Sequence, residues 1–193
     1  MSRLPRRRAW RLVLALVLSS AATAWAHPEG FHARFVFTLT KTTVTGLLVL
    51  DVDSGERCEL LRAGADANHD GVLSKPERAV LLSKLSSFLT KPLKLGLSGF
   101  PLPLTVTESK LNLRSDDSVS RTGISIALLL EVKHPHEISE GMHFEVETVT
   151  PDQSPVRLEV LQTPAPKEPP EPDFRDEVPS GKRVRVRLGA LGR

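Results

Sequence analysis

Residues Asp66 to Glu77 read D-A-N-H-D-G-V-L-S-K-P-E, with the D-x-N-x-D-G-x-x-x-x-x-E spacing of an EF-hand calcium loop. Calcium is a hard cation that takes about six to eight oxygens at flexible distances. The loop offers side-chain oxygens from Asp66, Asn68 and Asp70, a backbone carbonyl from Val72, an oxygen from Ser74 directly or through water, and both carboxylate oxygens of Glu77. Gly71 stands where the chain must turn with positive φ, which costs a residue without Cβ little. His69 falls at a loop position that points outward, so it is assigned no role. The same letters also spell an ordinary turn and helix start, because Ser74 with Glu77 makes a capping box and Pro76 is tolerated in a first helical turn. The two readings coincide, since the end of an EF loop is the beginning of its exiting helix.

Outward from the loop, Leu81, Leu82 and Leu85 recur with helical spacing, as an exiting helix with one buried face requires. Upstream, Glu56 to Ala65 predicts a short entering helix with Leu60 and Leu61 on one side, weakened near its end by Gly64. Cys58, the sole cysteine of the 193 residues, lies in that helix. It has no internal disulfide partner, so a buried free thiol is expected and the fold must rest on its apolar core and any bound metal.

Beyond the helices the pattern has period two. Phe31, Ala33, Phe35, Phe37 and Leu39 alternate with more polar partners, and Thr43 to Val52 follows a turn centred on Lys41, which predicts a β-hairpin. Leu93, Leu95 and Leu97 alternate again, and Phe100–Val106, Leu111–Leu113, Ile124–Val132, Phe144–Val149 and Val156–Leu161 read as further short strands. Short strands separated by Gly, Pro, Ser and Asp predict a mainly β fold of the α+β kind: an antiparallel β-sandwich over residues 27–162, with the helix-loop-helix EF-hand inserted at about residues 54–90, after the second strand.

The first 26 residues read as a signal peptide. Arg3, Arg6, Arg7, Arg8 and Arg11 form a positive segment, Leu12 to Ala22 an apolar one, and Ala24-Trp25-Ala26 a cleavage site before His27. General secretion suits this segment better than twin-arginine export, because Arg11 stands where an apolar residue would be expected. The expected product is secreted or periplasmic. Residues 1–26 carry five of the 26 basic residues and none of the 23 acids, leaving 21 basic against 23 acidic groups. The precursor's high pI therefore gives no warrant for nucleic-acid binding.

Residues 163–193 read as a Pro-rich linker and a basic tail. Six of the 15 prolines fall between Gln162 and Ser180, interleaved with charge, and such a segment buries too little apolar area to fold. Lys182 to Leu188 alternates basic and apolar residues. That pattern suits an edge strand or a disordered tail touching anionic lipid or a partner, and the tail is the expectation.

Six histidines follow the cleavage site and raise a second metal chemistry. Cleavage gives His27 a free α-amine beside its imidazole, a donor pair for a transition metal, with His32 close by. A hairpin centred on Ser139-Glu140 would place His136 opposite His143, with His134 nearby, and imidazoles on paired strands share a metal readily. Solvent-facing strand ends account for the same three residues.

The A-H-P start, two strands, the inserted loop with its exiting helix, and the Leu-Ser-Gly-Phe-Pro-Leu turn within Leu93–Val149 together resemble an uncharacterised family of bacterial periplasmic proteins. Its members often accompany nickel, cobalt or zinc-type membrane permeases. The resemblance covers most of residues 27–150 and implies a periplasmic accessory that captures a transition metal for a permease. That family commonly begins H-P-H, whereas this chain reads His27-Pro28-Glu29. Nothing supports an enzyme: the chain has no Gly-x-Ser-x-Gly elbow, phosphate-binding glycine loop, His-Glu-x-x-His or tyrosine, and Asp116-Asp117 reads as a turn.

Overall fold

The computed structural model describes residues 30–113, 123–134, 137–150, 153–162 and 174–189. The segment read as a signal peptide, Asp116-Asp117, His27, His136 and the linker over 163–173 lie outside them.

The predicted hairpin forms β1 (Phe31–Leu39) and β2 (Thr43–Val52), paired antiparallel from Phe31↔Val52 to Leu39↔Val44. The turn is held by Thr40, whose hydroxyl donates to the Thr43 carbonyl and accepts the Thr43 N–H, each at 3.2 Å. Alternation sets the faces: Phe31, Ala33, Phe35, Phe37 and Leu39 are all buried. Gly46 sits opposite Phe37, and a Cβ there would come within 2.8 Å of the Phe37 ring. The ring thus occupies the space that the glycine leaves.

After β2 come helix α1 (Glu56–Ala63) and helix α2 (Lys75–Thr90), then β3 (Lys94–Leu97), β4 (Phe100–Leu102), β5 (Val106–Leu113), β6 (Ile124–Lys133), β7 (His143–Glu147), β8 (Val156–Gln162), β9 (Phe174–Val178) and β10 (Arg183–Arg187). They make two sheets, ordered β5-β6-β2-β1-β8-β9 and β10-β7-β3-β4. The fold is mainly β, and the sheets are rich in antiparallel pairs.

Three expectations are corrected. The pairing is not antiparallel throughout, because β1 and β8 run parallel, from Ala33↔Val156 to Leu39↔Gln162. Side chains alternate with period two in either orientation, so the sequence pattern is blind to strand direction. The strand expected over Phe100–Val106 is broken at Pro103: β4 belongs to the second sheet and β5 to the first. Proline has no N–H to give a ladder, and the chain changes sheets there.

The expected disordered tail is instead two edge strands. β9 pairs antiparallel with β8, and β10 with β7. Val178, Val186 and Leu188 enter the core, while Arg183 reaches Glu147 at 2.9 Å and Arg185 reaches Glu145 at 3.1 Å. The alternation of basic and apolar residues therefore marks a strand with one buried face.

A continuous apolar core joins the sheets and helices. The ring of Phe37 in the first sheet meets that of Phe144 in the second at 5.3 Å between centroids, tilted 65°, and packs against Phe35 at 6.5 Å. Edge-to-face aromatic pairs of this kind favour such separations. From α2, Leu81, Leu85 and Leu89 are buried at a spacing of four, so one helix face is committed to the core.

A candidate metal centre

Between α1 and α2 the loop is shaped by its own short acidic side chains. Asp66 Oδ2 accepts the Gly71 N–H at 2.9 Å, Asn68 Oδ1 accepts that of Asp70 at 3.2 Å, and Asp70 Oδ1 accepts that of Val72 at 2.8 Å. Asn68 Nδ2 also donates to Asp70 Oδ2 at 2.8 Å. Asn and Asp close such turns because their oxygens reach amides two residues ahead. The chain turns with φ of 58° at His69 and 79° at Gly71. Gly71 takes that conformation at little cost, and His69 is exposed, as expected.

Glu77 closes the loop and begins α2. Its Oε1 accepts the N–H groups of Ala67 at 2.9 Å and Asn68 at 3.4 Å. Its Oε2 accepts the Ser74 N–H at 2.9 Å and the Ser74 hydroxyl at 2.6 Å. The Ser74 hydroxyl and then its amide hold this carboxyl below the usual carboxylate range; burial opposes them, and the Ala67 and Asn68 amides add to them. Glu77 is thus an ionised, largely buried carboxylate that ties both ends of the loop together.

Asp66 differs from its neighbours. It is only 5% exposed, and while its Oδ2 is engaged by Gly71, its Oδ1 is buried without a hydrogen-bond partner. Buried polar atoms are nearly always satisfied, and leaving one unmet costs about 1–3 kcal/mol, more where charge is involved. This oxygen is what a hard cation in the loop would engage first. Asn68, Asp70 and Ser74 are exposed, as is the side chain of Val72. Among the described residues no three His, Cys, Asp or Glu side chains stand close enough to hold an ion as placed. As placed, the carboxylates of Asp66, Asp70 and Glu77 accept hydrogen bonds from the loop's own amides. The donor set is all oxygen, three of the contributors being carboxylates, and this composition suits calcium and not a soft metal.

Several residues that position the loop escape the motif. Leu73 and Ala65 are buried, pinning the loop to the core from both sides; the apolar pair Val72-Leu73 was the available signal, although only Leu73 of the two turns inward. Lys84 Nζ donates to the Gly64 carbonyl at 2.7 Å, joining α2 to the end of α1 across 20 residues, and no local pattern marks that pair. In α1 the buried face belongs to Cys58 and Arg62, whereas Leu60 is 64% exposed and Leu61 half-buried. That corrects the expectation that Leu60 and Leu61 share an inward side. Arg62 is drawn in because its Nη2 donates to the Gly123 carbonyl at 3.2 Å, at the start of β6. Cys58 is a buried thiol outside any disulfide, as expected; burial pushes its pKa up, and Arg62 offsets part of the rise.

The described histidines do not converge. His32 is exposed on β1 with Nε2 2.7 Å from Asp53 Oδ2. His134 follows β6, its N–H donating to the Thr42 carbonyl at 3.0 Å, and His143 lies opposite Arg187 on β7. The hairpin expected at Ser139-Glu140 is absent: β6 pairs with β2 and β5, β7 with β3 and β10. Ile138 enters the core, its N–H donates to the Lys41 carbonyl at 2.6 Å, and the chain turns at Gly141 with φ of 84° into the other sheet.

Comparison with known protein families, with curated proteins and with solved structures returned no match.

Proposed function

We propose that this chain is an exported, non-enzymatic protein that binds one calcium ion in the loop from Asp66 to Glu77. Asp66, Asn68, Asp70, the Val72 carbonyl, Ser74 and Glu77 would hold the ion. In this reading the two sheets stack as a β-sandwich, a single EF-hand is inserted after the second strand, and residues 1–26 are removed on export to the periplasm or the medium. The observation that carries the proposal is the buried Asp66 Oδ1 with no hydrogen-bond partner. Glu77, ionised and hydrogen-bonded to both ends of the loop, supports it.

Sensor EF-hands act in pairs that expose a groove. A lone loop whose Leu73 and flanking helices are built into a shared core serves better as a brace, with affinity on the order of 10⁻⁴–10⁻³ M, as in extracellular modules. Bound calcium then stabilises the junction of α1, loop and α2 by mass action, about 2.7 kcal/mol at a hundredfold excess over Kd.

Calorimetric titration with Ca²⁺ tests this on protein purified from cells that express the full chain, with thermal melts in Ca²⁺ and in chelator. One site, a higher Tm in Ca²⁺, and loss of both in Glu77→Gln and Asp66→Asn are expected. No heat and no Tm shift at 10 mM Ca²⁺, well above the expected Kd, would overturn the proposal.

A further inference from the structure

Strand β5 (Val106–Leu113) ends the six-stranded sheet and, among the described residues, pairs on one side only, with β6. Residues Val106 to Lys110 are exposed, Val106 at 42%. An unpaired edge presents a row of amides and carbonyls ready to accept another strand. The other edges are poorer templates. β4 has three residues, with Pro101 inside it and Pro103 just after it. β9 has five, three of them charged, and β10 has five, three of them arginine.

β5 is eight residues long and carries a single charge of each sign, Glu108 and Lys110. Both lie on one face of the sheet, opposite Leu129 and Ala127 of β6.

We propose that two copies of this chain associate through β5, antiparallel about a two-fold axis at Ser109, so that the six-stranded sheets become one. In that register Glu108 of each copy lies opposite Lys110 of the other, giving two cross-strand ion pairs from one charge pattern. Two-fold interfaces are self-complementary in this way. The neighbouring registers that keep each face to itself centre either Glu108 on Glu108 or Lys110 on Lys110, so like charges exclude them. On the opposite face the small Ser109 side chains meet at the axis, and each Thr107 lies opposite Leu111 of the partner subunit. The register shift between Val106 and Glu108 marks a bulge at Thr107, and a bulge twists a strand and ends regular pairing. It confines the ladder to the centre of β5 and makes the dimer small and reversible.

Sedimentation velocity over a concentration series, on protein purified from cells expressing the full chain, is the test. The wild type shows a concentration-dependent monomer–dimer equilibrium that weakens with salt. Lys110→Glu alone and Glu108→Lys alone each weaken it at least about tenfold, because each replaces two attractive pairs by two repulsive ones. Equal mixing of the two single variants restores dimers, since each supplies the charge the other lacks, and E108K/K110E restores them by itself. Unchanged circular dichroism and an unchanged calcium response show that the variants are folded and that the edge acts apart from the loop. A wild type that stays monomeric at millimolar concentration overturns the inference. So does a dimer indifferent to both charge reversals, or single variants that do not complement each other.

Discussion

The hydrogen bonds that shape the loop from Asp66 to Glu77 close within ten residues, whereas Arg175 reaches across 16 positions to Glu159 and Arg183 across 36 to Glu147. Both regions are dense in charge. The loop nevertheless carries its instructions with it: Asx turns at Asn68 and Asp70, positive φ at Gly71, and a Glu77 carboxylate that returns to Ser74. The strands β9 and β10 carry half of theirs. Arg34, Arg157 and Arg175, drawn from three strands, converge on the largely buried Glu159, and Glu145 and Glu147 wait on β7 for Arg185 and Arg183. Charge that is matched locally makes a turn on its own; charge matched at long range makes a strand only once the partner strand is present.

Four substitutions press on that contrast. Phe144→Ala removes the ring that lies opposite Val186 of β10 and meets Phe37, and should cost about 3–5 kcal/mol in urea denaturation. Calcium affinity of the surviving native protein should be unchanged; a matching loss of affinity would show that the loop is not locally encoded.

Glu159→Gln leaves three guanidiniums without their shared carboxylate and should cost about 1–3 kcal/mol. It also sharpens the acid response. Burial pushes Glu159 up, but Arg34 and then Arg175 outweigh it, so its folded pKa lies below the ordinary value; hydrogen bonds from Lys94 and Arg183 lower Glu147 likewise. A carboxyl with a depressed folded pKa contributes stability above its unfolded value, about pH 4.3, and loses it as pH falls through the folded value. Tm measured against pH should therefore fall below about pH 4.3, less steeply in Glu159→Gln.

Ser74→Ala removes the N-cap hydroxyl at the start of α2 and should cost about 1 kcal/mol in chelator, with calcium-binding heat reduced in the same titration. Smallest is Arg183→Ala, an exposed pair on an edge strand, at about 0.2–1 kcal/mol. A loss above 2 kcal/mol in its denaturation curve would mean that β10 is held by its arginines and not by Val186 and Leu188 beneath.

The limits of sequence reading follow the same division. The hairpin of β1 and β2 was legible because period-two burial and a short turn are local properties, and the five alternating residues from Phe31 to Leu39 are all buried. Sheet membership was not. Pro103 divides a stretch that reads as one strand, and β6 and β7 belong to different sheets although their facing ends read as a hairpin. Leu60 faces solvent while Arg62 is buried, against hydrophobicity, because the carbonyl that receives Arg62 belongs to Gly123, 61 residues away.

By itself, then, the amino-acid order determined the β1–β2 hairpin, the two helices, the oxygen-rich loop between them, and the places of β3, β6, β7 and β8 to within a residue or two, since each depends on side chains within a few residues of one another. The tertiary structure decided the parallel pairing of β1 with β8, the docking of β9 and β10 as edge strands, the separation of the described histidines His32, His134 and His143, and the burial of Asp66 that leaves one carboxylate oxygen without a hydrogen-bond partner. Those outcomes turn on which surfaces meet, and alternation along a chain says which side of a strand is apolar without saying what will cover it.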